Sequence, residues 1–153
     1  AYLNDYIRRN GVPEKPGLHE FLSWLKEHSI KVAVATSTTR RVAEDYWKQS
    51  GIDQYINASV CGDEVINSKP DPEIFLKAAS LLKVPIAACI VAEDSINGLK
   101  AARAAGAISC MIPDLTPYTK ELFPFCDYVS PSLLACKEIL LQTPEADKLK
   151  SWK

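Results

Sequence analysis

Short apolar runs that alternate with amphipathic stretches constrain the fold of this chain more than any other feature. Lys31–Thr36 (KVAVAT) is apolar and β-compatible, as a strand covered on both faces should be. Ala58–Cys61 is a weaker run of the same kind, Ala88–Ala92 and Ile108–Ile112 are stronger ones, and Tyr128-Val129 is a short last one. Between them the spacing becomes helical. Leu18, Phe21, Leu22 and Leu25 mark one buried face, Val42, Ala43, Tyr46 and Trp47 a second, and Phe75, Ala78, Ala79 and Leu82 a third. A fourth helix runs from Ile96 to Ala105 and stops at Gly106. Asp71 with Pro72, and Ser130 with Pro131, are expected to open helices, the last one running through Leu133, Cys136 and Leu140. Strands alternating with helices imply βα units with right-handed crossovers, hence an α/β fold with a parallel sheet flanked by helices.

In an open parallel sheet, ligands bind beyond the C-terminal ends of the strands. That rule selects Thr36-Ser37-Thr38, the loop Gly62–Lys69, and Glu93-Asp94-Ser95. Each has two readings. Hydroxyls and free amides at the start of a helix bind phosphate, or they simply cap the helix. Lys69, restricted by Pro70, either neutralises an anion or is a solvated loop lysine. Glu93 and Asp94, adjacent acids at a strand end, either share a hard cation such as Mg²⁺ or provide a cap before Ser95.

Composition narrows the classes. The chain has 153 residues, which suits one domain. A net charge of −1 offers no basic footprint, so no nucleic-acid partner is expected. The longest apolar run, near Ala87–Ala92, ends at Glu93, far short of the ~18 residues of a membrane span, so no membrane partner and a cytoplasmic location are expected. Five cysteines form no CxxC pair and read as reduced thiols. His19 and His28 have no ligand cluster beside them.

Taken together, VAVATSTTRR, NSKPDPEIFLKAA and IVAEDSINGLKAARAAGA resemble the second, third and fourth motifs of the haloacid dehalogenase (HAD) superfamily, in its beta-phosphoglucomutase-like branch. The resemblance covers roughly Pro16 to Ile139, and KPDPEIF with EDSINGLKAARAAG carries most of its specificity. It implies a Rossmann-like core and a Mg²⁺-dependent phosphatase or phosphomutase that acts on a small phosphorylated metabolite through an aspartyl phosphate. By position, Thr36 would bond a phosphate oxygen, Ser37 would offer its backbone N–H, and Lys69 would offset charge on phosphate and nucleophile. Thr36 and Lys69 are thus the catalytic candidates. Thr38 sits where some relatives contact substrate, and Glu93 and Asp94 would hold Mg²⁺, directly or through water.

One departure from the family is large. The first motif, an Asp-x-Asp pair after the central strand, supplies the nucleophile, and no such pair follows an apolar strand here. The core is therefore expected to lack its central N-terminal strand. Residues 1–15 are expected to be the end of a helical cap and its connector, 16–142 an incomplete core, 143–153 a polar tail, and the whole a C-terminal fragment, inactive as isolated. Without the central strand, Lys31–Thr36 and Ala88–Ala92 would each have an unpaired edge, inviting self-association, or would close onto each other. A non-catalytic phosphate-binding module is the alternative function. A response-regulator receiver also combines an acid pair, a hydroxyl and a Lys-Pro, but there the acids come first in the chain and the lysine last.

Overall fold

The computed structural model describes residues 16–113 and 117–142; the expected cap remnant and polar tail lie outside the described residues. Each apolar run becomes a short strand: β1 (Ala33–Ala35), β2 (Ala58–Val60), β3 (Ile90–Glu93), β4 (Ile108–Met111) and β5 (Tyr128–Val129). The helices are α1 (Leu18–Glu27), α2 (Arg40–Ser50), α3 (Glu73–Leu82), α4 (Ile96–Ala105) and α5 (Cys136–Gln142). All pairings are parallel. β1 pairs with β2, β3 with β4, and β4 with β5, giving a two-stranded and a three-stranded sheet rather than one.

The period-two pattern of the strands distributes their side chains to two helix layers. Val32 and Ile90 pack with Phe21, Leu22 and Leu25 of α1 and Cys136 and Leu140 of α5. Their neighbours Ala33, Ala35 and Val91 face the other way, against Ile74, Phe75 and Ala78 of α3 and Ala101, Ala102 and Ala105 of α4. Small residues on this second face let α3 and α4 sit close to the strands. Ile74 is fully buried there, so Ile74→Ala would cost about 2–5 kcal/mol.

Several element ends differ from the sequence reading for local reasons. β1 starts at Ala33 because Val32 donates its N–H to the Asn57 side chain at 2.8 Å. β3 starts at Ile90, since Ile86–Ala88 coils into a 3-10 turn, and it takes in Glu93 as its last residue. Asp71 accepts the Glu73 N–H at 2.9 Å, so α3 begins one residue later than expected. α5 begins at Cys136 rather than at Pro131, because Ser130 donates to the Ser132 carbonyl (2.8 Å) and Ser132 accepts from Ala135 (3.1 Å), holding a turn in between.

β1 and β3 are not hydrogen-bonded to one another. Between them lies an apolar slot of about 330 Å³, with Phe21, Leu22 and Leu25 on one side and Phe75, Ala78 and Ala79 on the other. In a parallel ladder both polar groups of a residue face the same neighbour. Val32 and Thr36 bond to the β2 side, which turns Ala33 and Ala35 to the slot. Cys89 and Glu93 bond to the β4 side, which turns Ile90 and Ala92 to it. The two helix layers pack on both sheets and keep the edges apart, so the strands have not closed onto each other.

Among the described residues no helix is long and apolar enough to cross a membrane. The five cysteines are free thiols. The sulfurs of Cys110 and Cys136 lie 3.9 Å apart, and the hydrogen bond with Cys136, together with burial, pushes the Cys110 thiol upward in pKa.

Candidate active site

At the C-terminal ends of β1 and β3 a polar cleft of about 540 Å³ opens, lined by Thr36, Ser37, Lys69, Glu93, Asp94, Ser95 and Asn97. The three segments selected from the sequence therefore meet in one place. Thr38 lies just outside this lining, with its carbonyl accepting the Gly62 N–H at 2.8 Å.

The first bank of the cleft is the turn from β1 into α2. Thr36 accepts the Thr38 N–H on its hydroxyl at 3.1 Å, which leaves the hydroxyl proton to donate. No side chain of this turn caps α2; the first helical N–H, that of Arg40, goes instead to Asp63 at 2.9 Å. The capping reading of these hydroxyls thus has no support here. The turn is braced from across the sheet. The Arg40 guanidinium grips Glu64 at 2.7 and 3.2 Å and Ser59 at 2.7 and 3.1 Å. Arg40, together with the Cys61 N–H, holds the Glu64 carboxyl below the usual carboxylate range. Gly62 then lies so close that a Cβ there would stand 2.1 Å from the Ser37 carbonyl oxygen.

Lys69 reaches the cleft from a loop fixed by α3. The Glu73 carboxylate accepts the N–H groups of Ile66 and Asn67, both at 2.8 Å, and these bonds hold its pKa below the ordinary value. Lys69 is not a solvated loop lysine: its side chain is 10% exposed. Its ammonium lies 4.9 Å from the Phe75 ring centroid, donates to the Ala35 carbonyl at 3.2 Å, and is ion-paired and hydrogen-bonded to Glu93.

The second bank is the turn from β3 into α4. The Glu93 carboxylate gives one oxygen to Lys69, while the other accepts from the N–H groups of Asp94 (3.2 Å) and Ser95 (3.3 Å) and the Ser95 hydroxyl (3.0 Å). Ser95 itself is the N-cap of α4, accepting from Gly98 at 3.0 Å, so Asp94 is released from that duty. Oxygen-rich acids at this bank suit a hard cation. No group of three candidate ligands occurs among the described residues. Mg²⁺ is usually held by one or two carboxylates with the rest of its shell from water and substrate phosphate, and Asp94, beside Glu93 in the cleft lining, is a ligand of that kind.

The sequence profile of the haloacid dehalogenase-like hydrolases matches residues 2–106. The chain belongs to that family. Among its relatives, a phosphorylated carbohydrates phosphatase of Thermotoga maritima is 42% identical over 93 residues, 61% of this chain and 43% of that protein. Protein CbbY of Rhodobacter capsulatus is 36% identical over 126 residues, 78% of this chain and 54% of its own. Among solved structures, a Thermotoga maritima protein assigned as a beta-phosphoglucomutase superposes with a TM-score of 0.77 at 31% identity, over 85% of this chain and 61% of that one. These similarities bear out the HAD core and its beta-phosphoglucomutase-like branch. The chain spans about half the length of the curated relatives it matches.

In the sequence Gly62 and Glu64 fall inside the selected loop Gly62–Lys69 without a role of their own, and Arg40 and Gly98 appear only inside the quoted motifs. Only Gly98 left a signal in the sequence, as a glycine in an alanine-rich helix.

Proposed function

We propose that this chain supplies the phosphate-binding and metal-holding half of a Mg²⁺-dependent phosphatase or phosphomutase that acts on a small phosphorylated metabolite. The observation that carries the reading is the convergence of Thr36, Ser37, Lys69, Glu93 and Asp94 on one cleft at the strand ends. A crystal structure of CbbY from Rhodobacter sphaeroides, 30% identical to this chain, was solved in complex with phosphate. In this reading the hydroxyl of Thr36 and the amide of Ser37 receive phosphate oxygens, and Lys69 offsets their charge. Asp94 is the direct Mg²⁺ ligand, while Glu93, already saturated by donors, acts by holding Lys69 or through water. Bound Mg²⁺ would neutralise charge on the transferring phosphoryl group. The nucleophilic carboxylate arrives on an extended segment seated in the slot between β1 and β3, which opens onto the same cleft.

One observation favours the second reading, a phosphate-binding module without catalysis: Glu93 and Asp94 are the only acids among the described residues that line the cleft. The test is made on the protein in its full native length. Lys69→Ala should weaken inorganic phosphate binding by about 2–3 kcal/mol, measured by calorimetry with Mg²⁺ present. Phosphate-ester hydrolysis by the unmodified protein supports the enzyme, and phosphate binding without turnover supports the module. Equal phosphate affinity in wild type and Lys69→Ala defeats both.

A further inference from the structure

Gly98 occupies the third position of α4, in a helix that continues with Ala101, Ala102, Ala104 and Ala105. A glycine inside a helix costs about 1 kcal/mol against alanine. The missing methyl has a tenant. A Cβ on Gly98 would stand 2.0 Å from the carboxyl carbon of Glu93 and 2.2 and 2.3 Å from its oxygens. The carboxylate has little freedom to move aside, because Lys69 holds one oxygen and three donors from Asp94 and Ser95 hold the other. The Ser95 hydroxyl is tied in turn to the Gly98 N–H at 3.0 Å.

We propose that Gly98 is a positioning residue for Lys69, acting through Glu93: its bare Cα lets the carboxylate lie across the first turn of α4, and so holds the ammonium at the cleft. The proposal rests on the reading of Lys69 as the phosphate-binding cation. A methyl at position 98 displaces the carboxylate, breaks its bonds to the Asp94–Ser95 turn, and releases Lys69. An aspartate at position 93 is one methylene shorter and fits beneath that methyl.

The experiment compares acetylation rates of individual lysines by peptide mass spectrometry in the native-length protein, with Lys100 of α4 as the internal reference. In Gly98→Ala, Lys69 should react about tenfold faster, as expected when a charged hydrogen bond is lost, with Lys100 unchanged. Adding Glu93→Asp should return Lys69 to within about threefold of wild type. An unchanged Lys69 rate, a parallel rise of Lys69 and Lys100, or no restoration in the double variant each overturns the proposal. Where Gly98→Ala does not fold, Ser95→Ala removes one donor from the same carboxylate; faster Lys69 acetylation then supports the proposal, and an unchanged rate overturns it. Phosphate calorimetry on the same proteins separates the two ideas. If Lys69 responds as expected while Lys69→Ala binds phosphate normally, Gly98 keeps its positioning role and only the reading of the site fails.

Discussion

On the β1 bank of the cleft, the groups at hand are a hydroxyl and backbone amides; on the β3 bank they are two acids. The first bank is neutral and takes its shape from outside itself, through Arg40, Glu64 and the close approach of Gly62. The second is charged and takes its shape from within, through donors of its own turn and the glycine one turn on. Backbone donors suit an anion and need accurate placement, which distant braces supply. Adjacent carboxylates suit a cation and repel each other until one is neutralised. Lys69 comes from a third segment and meets this need by pairing with Glu93, while also donating to the last slot-facing carbonyl of β1. It is the one cation that touches both banks among the described cleft residues.

The comparison can be broken most completely at the slot. The 153 residues alone are expected to show no turnover of phosphate esters with Mg²⁺, and to associate through the open edges of β1 and β3. Light scattering after size exclusion, combined with a phosphatase assay, checks both; a stable monomer with turnover would refute the two-bank picture. Next in size is the acid bank. In the native-length protein, Asp94→Asn should lower kcat by at least about a hundredfold while leaving thermal unfolding cooperative. Turnover equal to wild type across a Mg²⁺ series would remove this bank from the chemistry.

The neutral bank should respond through stability first. Gly62→Ala places a methyl against backbone rather than against a movable side chain, and should cost about 1–3 kcal/mol in denaturant unfolding. An unchanged midpoint would mean that the Ser37 turn adjusts freely. The smallest effect belongs to the outer brace. Glu64→Gln should cost at most about 1 kcal/mol, because the pair with Arg40 is solvent-screened. Glu64 has a lowered pKa when folded, so its contribution is full above the ordinary Glu value and is lost as pH falls through the folded value. The wild type and Glu64→Gln should therefore differ at neutral pH and converge in acid, and a difference that grows in acid would contradict the sign.

The cleft that forms the candidate site was legible where chain order and the strand-end rule agree. Thr36, Lys69, Glu93 and Asp94 follow strand ends or a proline-marked loop, and the rule needs no coordinates. What stayed hidden depends on contacts between segments. Nothing near Gly62 announces Ser37, and nothing near Lys69 says that its partner is Glu93. Gly98 came nearest to being readable, since its helical cost points to a neighbour even though the neighbour cannot be named. The fold followed from periodicity, but α5 began later than expected because the Ser130 and Ser132 side chains stabilise a turn that Pro131 alone does not reveal.

The division into two sheets also bears on how the chain folds. Ala33 pairs with Ala58, Ile90 with Ile108 and Cys110 with Tyr128, so each strand pairing is closed by one crossover of modest length. Loop-closure entropy for such pairings is small, and each sheet has its own helix to condense on. In the proposed reading, where an extended segment enters the slot between β1 and β3, the slower event is that insertion, since its contacts must span both units at once. Folding kinetics of the native-length protein should then show the local units protected from hydrogen exchange early, and the amides of Ala35 and Ala92, which face the seam, protected last.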